Sequence, residues 1–536
     1  MEGFVQSSGD DGIVVFSLGW TLSLQHSAGK ILVWPVEFSH WLNIKVIIDE
    51  LIVRGHSVTV VTHSATPSVK TTESPGYNVE VIQVPYTKQD INDALEKFMK
   101  YWTYDLPNDN MIRTSLKIKE IMDMFVEQNH ILCRKLFANE GLLEKWRKEQ
   151  FDVLLTDPMS TCGELLAQKL NLPFIISLRF SFGSSMERLC GQLPTPPSYV
   201  PGVSLGYSDH MGFLQRVKNI LFQFSQDVLF TLVSVVKWDY LFTEVMGKPT
   251  TLCETIGKAD IWLIRSYWDF EYPRPFLPNF KFVGGLHCKP AKPLPKEIEA
   301  FVQSSGDDGI VVFSLGSMVK NLTKERANTI ASALGQIPQK VLWRYTGEKP
   351  DTLTPNTRLY EWIPQNDLLG HPKTKAFITH GGTNGLYEAI YHGVPMVGLP
   401  LFADQPDNMN HMRTKGAAVM LDFNKMEAKD LKEALTDVMH NSLYKENIMR
   451  LSQIHHDQPM KPLDQAVFWI EYVMRNKGAK HLRVEAHNLT WYQYHCLDVA
   501  AFLLSITALV MFIFVKTCSW IFRKCLRRTT TKKKRE

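Results

Sequence analysis

The stretch from Leu359 to Gln405 carries residue types that suit the binding of a polar, negatively charged ligand. Short apolar runs, which predict strands, end here in polar or glycine-rich turns, and a helical pattern covers Asn384–His392 between them. In parallel α/β units, ligands lie at the carboxyl ends of strands and the amino ends of helices. His380-Gly381-Gly382 occupies such a junction, where two glycines let the backbone present N–H groups to an anion. The pattern predicts a nucleotide-binding unit.

A histidine and an aspartate nearer the N-terminus could act together in proton transfer. His40 follows a predicted strand, Lys30–Val36, and Asp157 follows another, Phe151–Thr156. Because the carboxyl ends of parallel strands share one edge of a sheet, the two side chains can meet there. An imidazole titrates near neutrality and can take a proton from a hydroxyl group, with the carboxylate orienting it. Spacing alone also allows plain structural roles, at a helix N-terminus for His40 and in a turn for Asp157.

Alternating strand and helix patterns around these residues predict two α/β domains. A proline- and lysine-rich segment at 286–300 separates them as a linker, which gives an N-terminal domain over 28–285 and a C-terminal domain over 301–480. The predicted elements of the first domain, besides the two strands above, are helix Trp41–Arg54, strand Ser57–Thr62, helix Gly163–Leu170, strand Pro173–Leu178 and strand Ala259–Arg265. Those of the second are strand 310–315, helix 323–335, strand 340–345, strands Ala376–Thr379 and Pro395–Leu401, and helices over 427–480.

The C-terminal end of the chain has the pattern of a membrane anchor. Val499–Val515 is free of charged residues, aromatic residues follow it, and the tail is rich in Lys and Arg. This predicts a juxtamembrane segment over 481–496, a transmembrane helix over 497–515 and a basic cytosolic tail over 516–536. A buried core helix is the alternative. Lys533 and Lys534 match a signal for retrieval to the endoplasmic reticulum.

Composition excludes some function classes. The net charge is +4 over 536 residues, much of the basic excess lies in the tail, and no basic stripe with interleaved aromatic residues predicts nucleic-acid binding. Of the 8 cysteines none forms a C-x-x-C pair, so we predict neither a zinc site nor a redox site. Asn321 and Asn488 begin N-x-T motifs, which mark candidate glycosylation sites, although such short motifs also occur by chance.

The first residues are anomalous. Phe4–Gly19 repeats Phe301–Gly316 letter for letter, and only the second copy suits its context as a turn followed by a strand. The N-terminal end holds Glu2, Asp10 and Asp11 and no basic residue, the wrong charge for a secretory signal. We therefore expect 1–27 to be an aberrant leader with no role in the fold, which arose from a rearranged transcript or a faulty gene model.

Several motifs resemble the UDP-glucuronosyltransferases, which are GT-B glycosyltransferases, and the likeness is nearest to the vertebrate family 2 enzymes. The matching motifs are WIPQ at Trp362–Gln365, HGG at His380–Gly382, Asn384, Glu388, the pair Asp404-Gln405, SHW at Ser39–Trp41 and WLIR ending at Arg265. The likeness extends from about Gly29 to the basic tail. It implies an α/β fold of the GT-B type, with two facing Rossmann-like domains, a last helix that returns to the first domain, and one C-terminal transmembrane helix.

The resemblance also implies residue roles. His40 is the base and Asp157 its partner. The donor nucleotide is bound by Trp362 and Gln365 at the uracil and by Glu388 at the ribose. His380, Ser317, Asn384 and the backbone of Gly382 and Gly385 hold the diphosphate. Asp404 and Gln405 bind the sugar hydroxyls, and Arg265 binds the sugar carboxylate. Residues 190–250 help to form the acceptor pocket.

The implied reaction is an inverting transfer of glucuronate from UDP-glucuronate to a hydroxyl group of a lipophilic acceptor, with no metal ion or other cofactor. It would take place at the endoplasmic reticulum membrane, with membrane lipid and related transferases as partners. Two alternatives stay open: another donor, such as UDP-glucose, and a non-catalytic membrane partner of active relatives. Without a working signal, the C-terminal span could also insert as a tail anchor, with both domains in the cytosol.

Overall fold

The computed structural model describes residues 28–70, 76–106, 109, 111–178, 182–316, 318–319 and 322–532. Two parallel sheets form the centres of two domains. The strands of the first sheet are, in chain order, β1 (Lys30–Trp34), β2 (Ser57–His63), β3 (Asn78–Ile82), β4 (Val153–Thr156), β5 (Phe174–Leu178), β6 (Ile261–Ile264) and β7 (Phe280–Phe282). Those of the second are β8 (Ile310–Ser314), β9 (Lys340–Arg344), β10 (Thr357–Tyr360), β11 (Thr374–Thr379), β12 (Met396–Gly398) and β13 (Ala418–Met420).

Helices cover both sheets. Before the second domain they are α1 (Ser39–Val53), α2 (Lys88–Lys100), α3 (Met111–Phe137), α4 (Glu140–Glu149), α5 (Gly163–Leu170), α6 (Phe213–Phe230), α7 (Val236–Met246) and α8 (Leu252–Ile256). The rest are α9 (Lys296–Gln303), α10 (Lys324–Leu334), α11 (Gln365–Leu369), α12 (Thr383–His392), α13 (Gln405–Thr414), α14 (Ala428–His440), α15 (Ser442–His456), α16 (Pro462–Asn476), α17 (Trp491–Tyr494) and α18 (Leu497–Lys532).

The strand order places a crevice at the centre of each sheet. The orders are β3-β2-β1-β4-β5-β6-β7 and β10-β9-β8-β11-β12-β13, and the pairings along both are parallel. The direction of the strand order therefore changes between β1 and β4 in the first sheet and between β8 and β11 in the second. Ligands of open α/β sheets bind outside the carboxyl ends of the strands at such switch points.

The central strands are continuous apolar runs because helices cover both of their faces. All five residues of β8, Ile-Val-Val-Phe-Ser, are buried, and so are all residues of β4 and β5. Two hydrophobic clusters pack on the opposite faces of each sheet. The arrangement is the pair of Rossmann-like domains that the sequence predicts.

The last helix of the second domain packs on the first, as expected for a GT-B chain. Ala466, Val467 and Ile470 of α16 lie in the same core as residues of β1 and α1. Arg54 binds Asp464 at 2.6 Å, and His56 Nε2 lies 3.2 Å from a Glu471 carboxylate oxygen. These contacts tie the two ends of the GT-B unit together.

The structure changes some of the predicted bounds. The last residues of the predicted linker belong to α9, which begins after the N-cap residue Pro295. The predicted strand Pro395–Leu401 is shorter in the structure, where β12 covers Met396–Gly398 and the Leu399 N–H still donates to the Thr379 carbonyl at 2.8 Å. The sequence prediction missed β3, β7, β10 and β13, short strands toward the sheet edges. Ser317, Asn321, Lys533, Lys534 and the leader 1–27 lie outside the described residues.

Two long helices carry exposed apolar residues. Leu497–Leu526 of α18 is long and apolar enough to cross a membrane, none of its most apolar window is buried, and this fits the predicted anchor. The second is Phe213–Met246, where α6, a π-helical turn at Thr231–Val235 and α7 run on without a break. The sequence prediction did not identify this second helix.

Two disulfides join four of the cysteines in the first domain, Cys133 to Cys162 and Cys190 to Cys253. Such bonds are typical of oxidising compartments. Cys162 precedes α5 directly, so its bridge to α3 restrains the loop between β4 and α5.

Replacing Cys133 and Cys162 together by Ala should lower the free energy of unfolding by about 3 kcal/mol, because their bridge closes a loop with a sequence separation of 29. Thermal unfolding of the full chain should show a midpoint lower by several degrees. The half-buried free thiol Cys288, replaced by Ala, is the matched control. Equal midpoints for the double variant and the wild type would show that this bridge does not stabilise the fold.

Candidate active site

The structure brings His40 and Asp157 together at the switch point of the first sheet. Trp34 at the end of β1 pairs with Thr156 at the end of β4, and the two side chains follow these strand ends. His40 Nδ1 lies 2.7 Å from Asp157 Oδ2, and Asp157 is fully buried. The carboxylate accepts the Nδ1 hydrogen, which leaves Nε2 as the basic nitrogen of the ring.

Asp157 is held as a carboxylate by its neighbours. Burial opposes its ionisation, but the charge and hydrogen bond of His40, the charge of Arg265 and the backbone N–H of Met159 outweigh burial, and the pKa of Asp157 is lowered. The Met159 N–H donates to Oδ1 at 3.1 Å. Because the carboxylate is charged and fixed, it can both orient the imidazole and stabilise an imidazolium.

Arg265 follows the end of β6 and contacts Asp157. Its guanidinium donates to Asp157 Oδ2 at 3.0 Å, and its side chain is 4% exposed. It does not belong to the wall of the cavity described below. The end of β6 directs it to the end of β4 because β5 alone separates the two strands. The structure shows Asp157 as a partner of Arg265, and a contact of Arg265 with a sugar carboxylate stays a prediction.

One cavity of about 1000 Å³ extends between the two domains. Its first-domain part is mostly apolar and includes Leu95, Phe98, Phe125, Leu132, Phe230 and Trp238. Its second-domain part contains the described residues that the resemblance assigns to the donor: Trp362, Gln365, His380, Gly382, Asn384, Gly385, Glu388, Asp404 and Gln405. His40 lies in the wall of the same cavity. His40 therefore borders a space that can hold an apolar molecule beside a polar one.

Trp362 has one face covered and is otherwise accessible. The Arg344 guanidinium lies 4.6 Å from its ring centre, and the tryptophan is 67% exposed. A cation on one face fixes the ring, while the exposed ring can stack on a base. Beside it, Gln365 Nε2 donates to Glu388 Oε2 at 2.5 Å. Gln365 is the first residue of α11 and Glu388 lies in α12, and both residues line the cavity.

Burial affects the charge of Glu388. Loss of hydration raises its pKa to about 7, although the Gln365 amide and Lys289 act in the opposite direction. The carboxyl group therefore changes its protonation state near neutral pH, where an ionised carboxylate is a better acceptor for hydroxyl donors.

His380 lies between two glycines. A Cβ atom at Gly316 or at Gly382 would come within 2.6 Å of its Nε2 atom, so side chains there would displace the imidazole. Gly316 follows β8, His380 follows β11, and these strands flank the switch point of the second sheet. The N-terminus of α12 begins at Thr383 in the same turn. Backbone N–H groups and the helix dipole there favour a bound anion.

Asp404 and Gln405 stand at the start of α13. Gln405 Oε1 accepts the backbone N–H groups of Leu401 and Phe402, at 2.9 and 3.1 Å, and this closes the turn after β12. The amide nitrogen of Gln405 is then the group that can donate a hydrogen bond to a ligand. Asn408 donates to Asp404 Oδ2 at 2.8 Å, which fixes that carboxylate at the cavity wall.

Asn384 joins the domains. Its side-chain oxygen accepts the Asn43 amide N–H at 2.9 Å, and Asn43 also donates to the Ser39 carbonyl at 2.9 Å. The helix that carries His40 is thus bonded to the helix that starts at the turn after β11. Sequence reasoning missed Asn43 and Arg344; the helical spacing of Asn43, one turn after His40, was the available signal for the first.

Comparisons with known proteins identify the family of the chain. Residues 29–534 match the family model described as "UDP-glucoronosyl and UDP-glucosyl transferase". The chain is 58% identical to UDP-glucuronosyltransferase 2B17 of Homo sapiens, over 95% of this chain and 96% of that protein. It is 56% identical to UDP-glucuronosyltransferase 2A1 of Mus musculus, over 98% and 99% of the two chains.

Solved structures show the same fold. The spinosyn forosaminyltransferase SpnP aligns with a TM-score of 0.57 at 18% identity, over 84% of this chain and 100% of that chain. Os79 from O. sativa aligns with a TM-score of 0.57 at 16% identity, over 83% and 100%. At these identities the likeness establishes the GT-B fold alone. With the family match over nearly the whole sequence, the chain belongs to the family of UDP-glucuronosyl and UDP-glucosyl transferases.

Proposed function

We propose that this chain transfers glucuronate from UDP-glucuronate to a hydroxyl group of small lipophilic acceptors. The observation that carries the proposal is the position of His40, which lies on the wall of one cavity between an apolar part and the predicted donor residues. The names of the relatives, UDP-glucuronosyltransferases 2B17 and 2A1, support the donor. The apolar lining supports phenols, steroids, bile acids and foreign compounds as acceptor classes.

The transfer is a single displacement. The His40 Nε2 lone pair takes the hydroxyl proton as the acceptor oxygen attacks the anomeric carbon. The bond between that carbon and the diphosphate oxygen breaks, and its electron pair leaves with UDP. Attack from the opposite side converts the α-linked donor into a β-glucuronide. Asp157 stabilises the imidazolium, and Arg265 keeps Asp157 ionised.

Protein groups stabilise the leaving group in this proposal. The diphosphate would lie at the N-terminus of α12, with His380, the amides around Gly382 and Gly385, Asn384 and the Ser317 hydroxyl around it. The reaction as proposed needs no metal ion. Asp404 and the Gln405 amide would bind the sugar hydroxyls.

Donor competition tests the function. Purified full-length protein in phospholipid vesicles, given equal UDP-glucuronate and UDP-glucose and a phenol acceptor, should form the glucuronide in large excess. A glucoside as the main product would replace the proposed activity with that of a glucosyltransferase. Failure to form either conjugate, while UDP still binds, would support a non-catalytic partner.

Replacing Trp362 by Ala should raise the Michaelis constant for UDP-glucuronate about 10- to 100-fold and leave kcat within a few-fold, because stacking on a base contributes about 1–3 kcal/mol to binding. Initial rates at varied donor concentration measure both constants. Trp362→Phe, which keeps a flat ring, should recover most of the affinity. A fall in kcat with an unchanged Michaelis constant would place the tryptophan outside the donor site.

Affinity for UDP-glucuronate should rise with pH between about 6 and 8, by up to roughly tenfold, as Glu388 ionises. The sign follows from its raised pKa: below about 7 the protonated carboxyl is a poorer acceptor for the ribose hydroxyls. The donor itself does not titrate in this range. Equilibrium binding to wild type and Glu388→Gln is the measurement. A pH dependence that persists in Glu388→Gln would assign it to another group.

We place the two domains in the lumen of the endoplasmic reticulum, with α18 as a single span and the basic tail in the cytosol. The two disulfides support an oxidising compartment for the first domain. The Asn321 motif, the Asn488 motif and the Lys533-Lys534 pair are consistent with this orientation. A glycosidase-sensitive mobility shift that is lost on Asn321→Gln would support the lumenal orientation. Protease accessibility of both domains in sealed microsomes would place them in the cytosol.

A further inference from the structure

One carboxylate stands in the mostly apolar first-domain part of the cavity wall. Glu37 follows β1, three residues before His40, and both residues line the cavity. Among the first-domain residues that line the described cavity, Glu37 is the only Asp, Glu, Lys or Arg. A charged group in apolar surroundings costs free energy unless it is bound by other polar groups. The surroundings of Glu37 therefore decide what this position can bind.

Hydrogen bonds from its own domain keep Glu37 ionised. The Ser68 backbone N–H donates to Glu37 Oε2 at 3.1 Å, and His63 Nε2 lies 3.4 Å from Oε1. Burial would raise the pKa of Glu37, but hydrogen bonds with His63, Ser68 and Thr66 outweigh burial, and the pKa is lowered. The Glu37 side chain is still 19% exposed, so a carboxylate faces the cavity.

No protein cation neutralises this carboxylate in the part of the chain that the structure describes. The ion pairs found there join Glu37 to His63 and to no Lys or Arg. His63 Nδ1 is buried and has no hydrogen-bond partner among the described residues. A protonated ring would hold a buried Nδ1 hydrogen without an acceptor, so the neutral ring is favoured, with its hydrogen on Nε2 toward Glu37.

An aromatic ring completes the surroundings of Glu37. Tyr86 lines the cavity and contacts the His63 ring edge to face, with 5.7 Å between the ring centres. Burial and the negative charge of Glu37 raise the pKa of Tyr86 to about 12, so its hydroxyl group stays neutral. Aromatic faces attract cations, as the carboxylate does. Glu37, His63 and Tyr86 are here called the Glu37 subsite.

We propose that the Glu37 subsite binds the ammonium group of cationic acceptors, so that lipophilic phenols and alcohols with a protonated or quaternary amine are substrates. An ion pair with Glu37 would supply the counter-charge that the protein lacks there. The Cα atoms of Glu37 and His40 can lie at most about 11 Å apart, because three residues separate them. One small molecule can therefore place its ammonium at Glu37 and its hydroxyl at His40. Conjugation rests on the proposed function; binding of the ammonium group does not.

Equilibrium binding tests the subsite without an activity readout. The probe is (2-phenylethyl)trimethylammonium, which has a permanent charge and no hydroxyl group to conjugate. Isothermal titration of the full chain in phosphatidylcholine vesicles should show a Kd at least tenfold higher for Glu37→Gln than for the wild type. Glu37→Asp, which keeps the charge, should recover part of the affinity. Glu50→Gln removes a carboxylate of α1 outside the cavity wall and should bind as the wild type. No binding to the wild type, or equal binding to Glu37→Gln, overturns the proposal.

A second variant leaves Glu37 in place. His63→Lys brings a fixed cation to the carboxylate and should weaken binding of the probe at least tenfold, whereas His63→Gln, which adds no charge, should stay within a few-fold of the wild type. Thermal unfolding midpoints show whether each variant is folded. A folded His63→Lys protein with the affinity of the wild type overturns the proposal, because the probe would then not compete with a cation at Glu37.

Kinetics test conjugation with two acceptors of one shape. The [2-(4-hydroxyphenyl)ethyl]trimethylammonium ion and 4-(3,3-dimethylbutyl)phenol differ in a charged nitrogen in place of a carbon. The ratio of their kcat/KM values, cationic over neutral, should fall at least tenfold in Glu37→Gln. A structural role of Glu37 would lower both values alike and keep the ratio, which overturns the proposal, as does conjugation of the neutral phenol alone by the wild type. If the wild type conjugates neither phenol, the proposed function fails, while the binding result still decides the subsite.

Discussion

Replacing His40 by Ala should lower glucuronide formation by about 10³-fold or more, because the acceptor hydroxyl loses its only positioned base in this account. UDP binding should stay within about twofold of the wild type, since the predicted nucleotide contacts lie in the second domain. Single-turnover rates with a phenol acceptor and equilibrium binding of UDP measure the two effects on the same preparation.

Two further variants separate basicity from packing. His40→Gln keeps a polar side chain of similar size but no base, so it should be as inactive as His40→Ala. His440→Ala removes an exposed histidine from α14 and should behave as the wild type. A His40→Gln enzyme that retains most of its turnover would assign the proton transfer to another group.

Replacing Asp157 by Asn should reduce kcat by about 10³- to 10⁴-fold, because the substitution changes the tautomer of His40. In the wild type, the Asp157 carboxylate accepts the His40 Nδ1 hydrogen at 2.7 Å and leaves Nε2 basic. An asparagine amide can donate to Nδ1 instead, which moves the hydrogen to Nε2 and removes the base. The buried guanidinium of Arg265 would also lose its carboxylate, so we expect some loss of thermal stability.

Asp152→Asn is the matched control for this substitution. Asp152 precedes the same strand, accepts the Lys30 backbone N–H at 3.0 Å and lies outside the cavity wall. It should alter stability slightly and kcat hardly at all. If Asp157→Asn lost UDP binding together with turnover, general unfolding would explain the loss and the assigned role would be wrong.

The topology explains why the pair of His40 and Asp157 could be predicted from sequence. Apolar runs identify β1 and β4, and parallel strands place their following residues at one edge. The same reasoning located His380 after β11 and the helix α12. Resemblance, rather than spacing, supplied the roles of Trp362, Glu388 and Asp404.

Other features depend on contacts that no local pattern encodes. The strand order brings the guanidinium of Arg265 to Asp157, a contact that the position of Arg265 after a strand does not by itself predict. Asn43 bonds Asn384 across the domains, a contact between residues far apart in the sequence. The helix Phe213–Met246 escaped prediction because two of its polar residues, Asn219 and Gln223, are buried while many of its apolar residues are exposed, which is the reverse of the pattern used to recognise a surface helix.

The most direct test of the account is the stereochemistry of the product. The full chain is expressed as it stands and with a secretory signal in place of 1–27, and its membranes receive UDP-α-glucuronate and a phenol. Proton NMR of the conjugate should show the large diaxial coupling of a β-glucuronide, with one equivalent of UDP released. An α-linked conjugate would contradict the single displacement at His40, and conjugation from UDP-glucose alone would contradict the proposed donor.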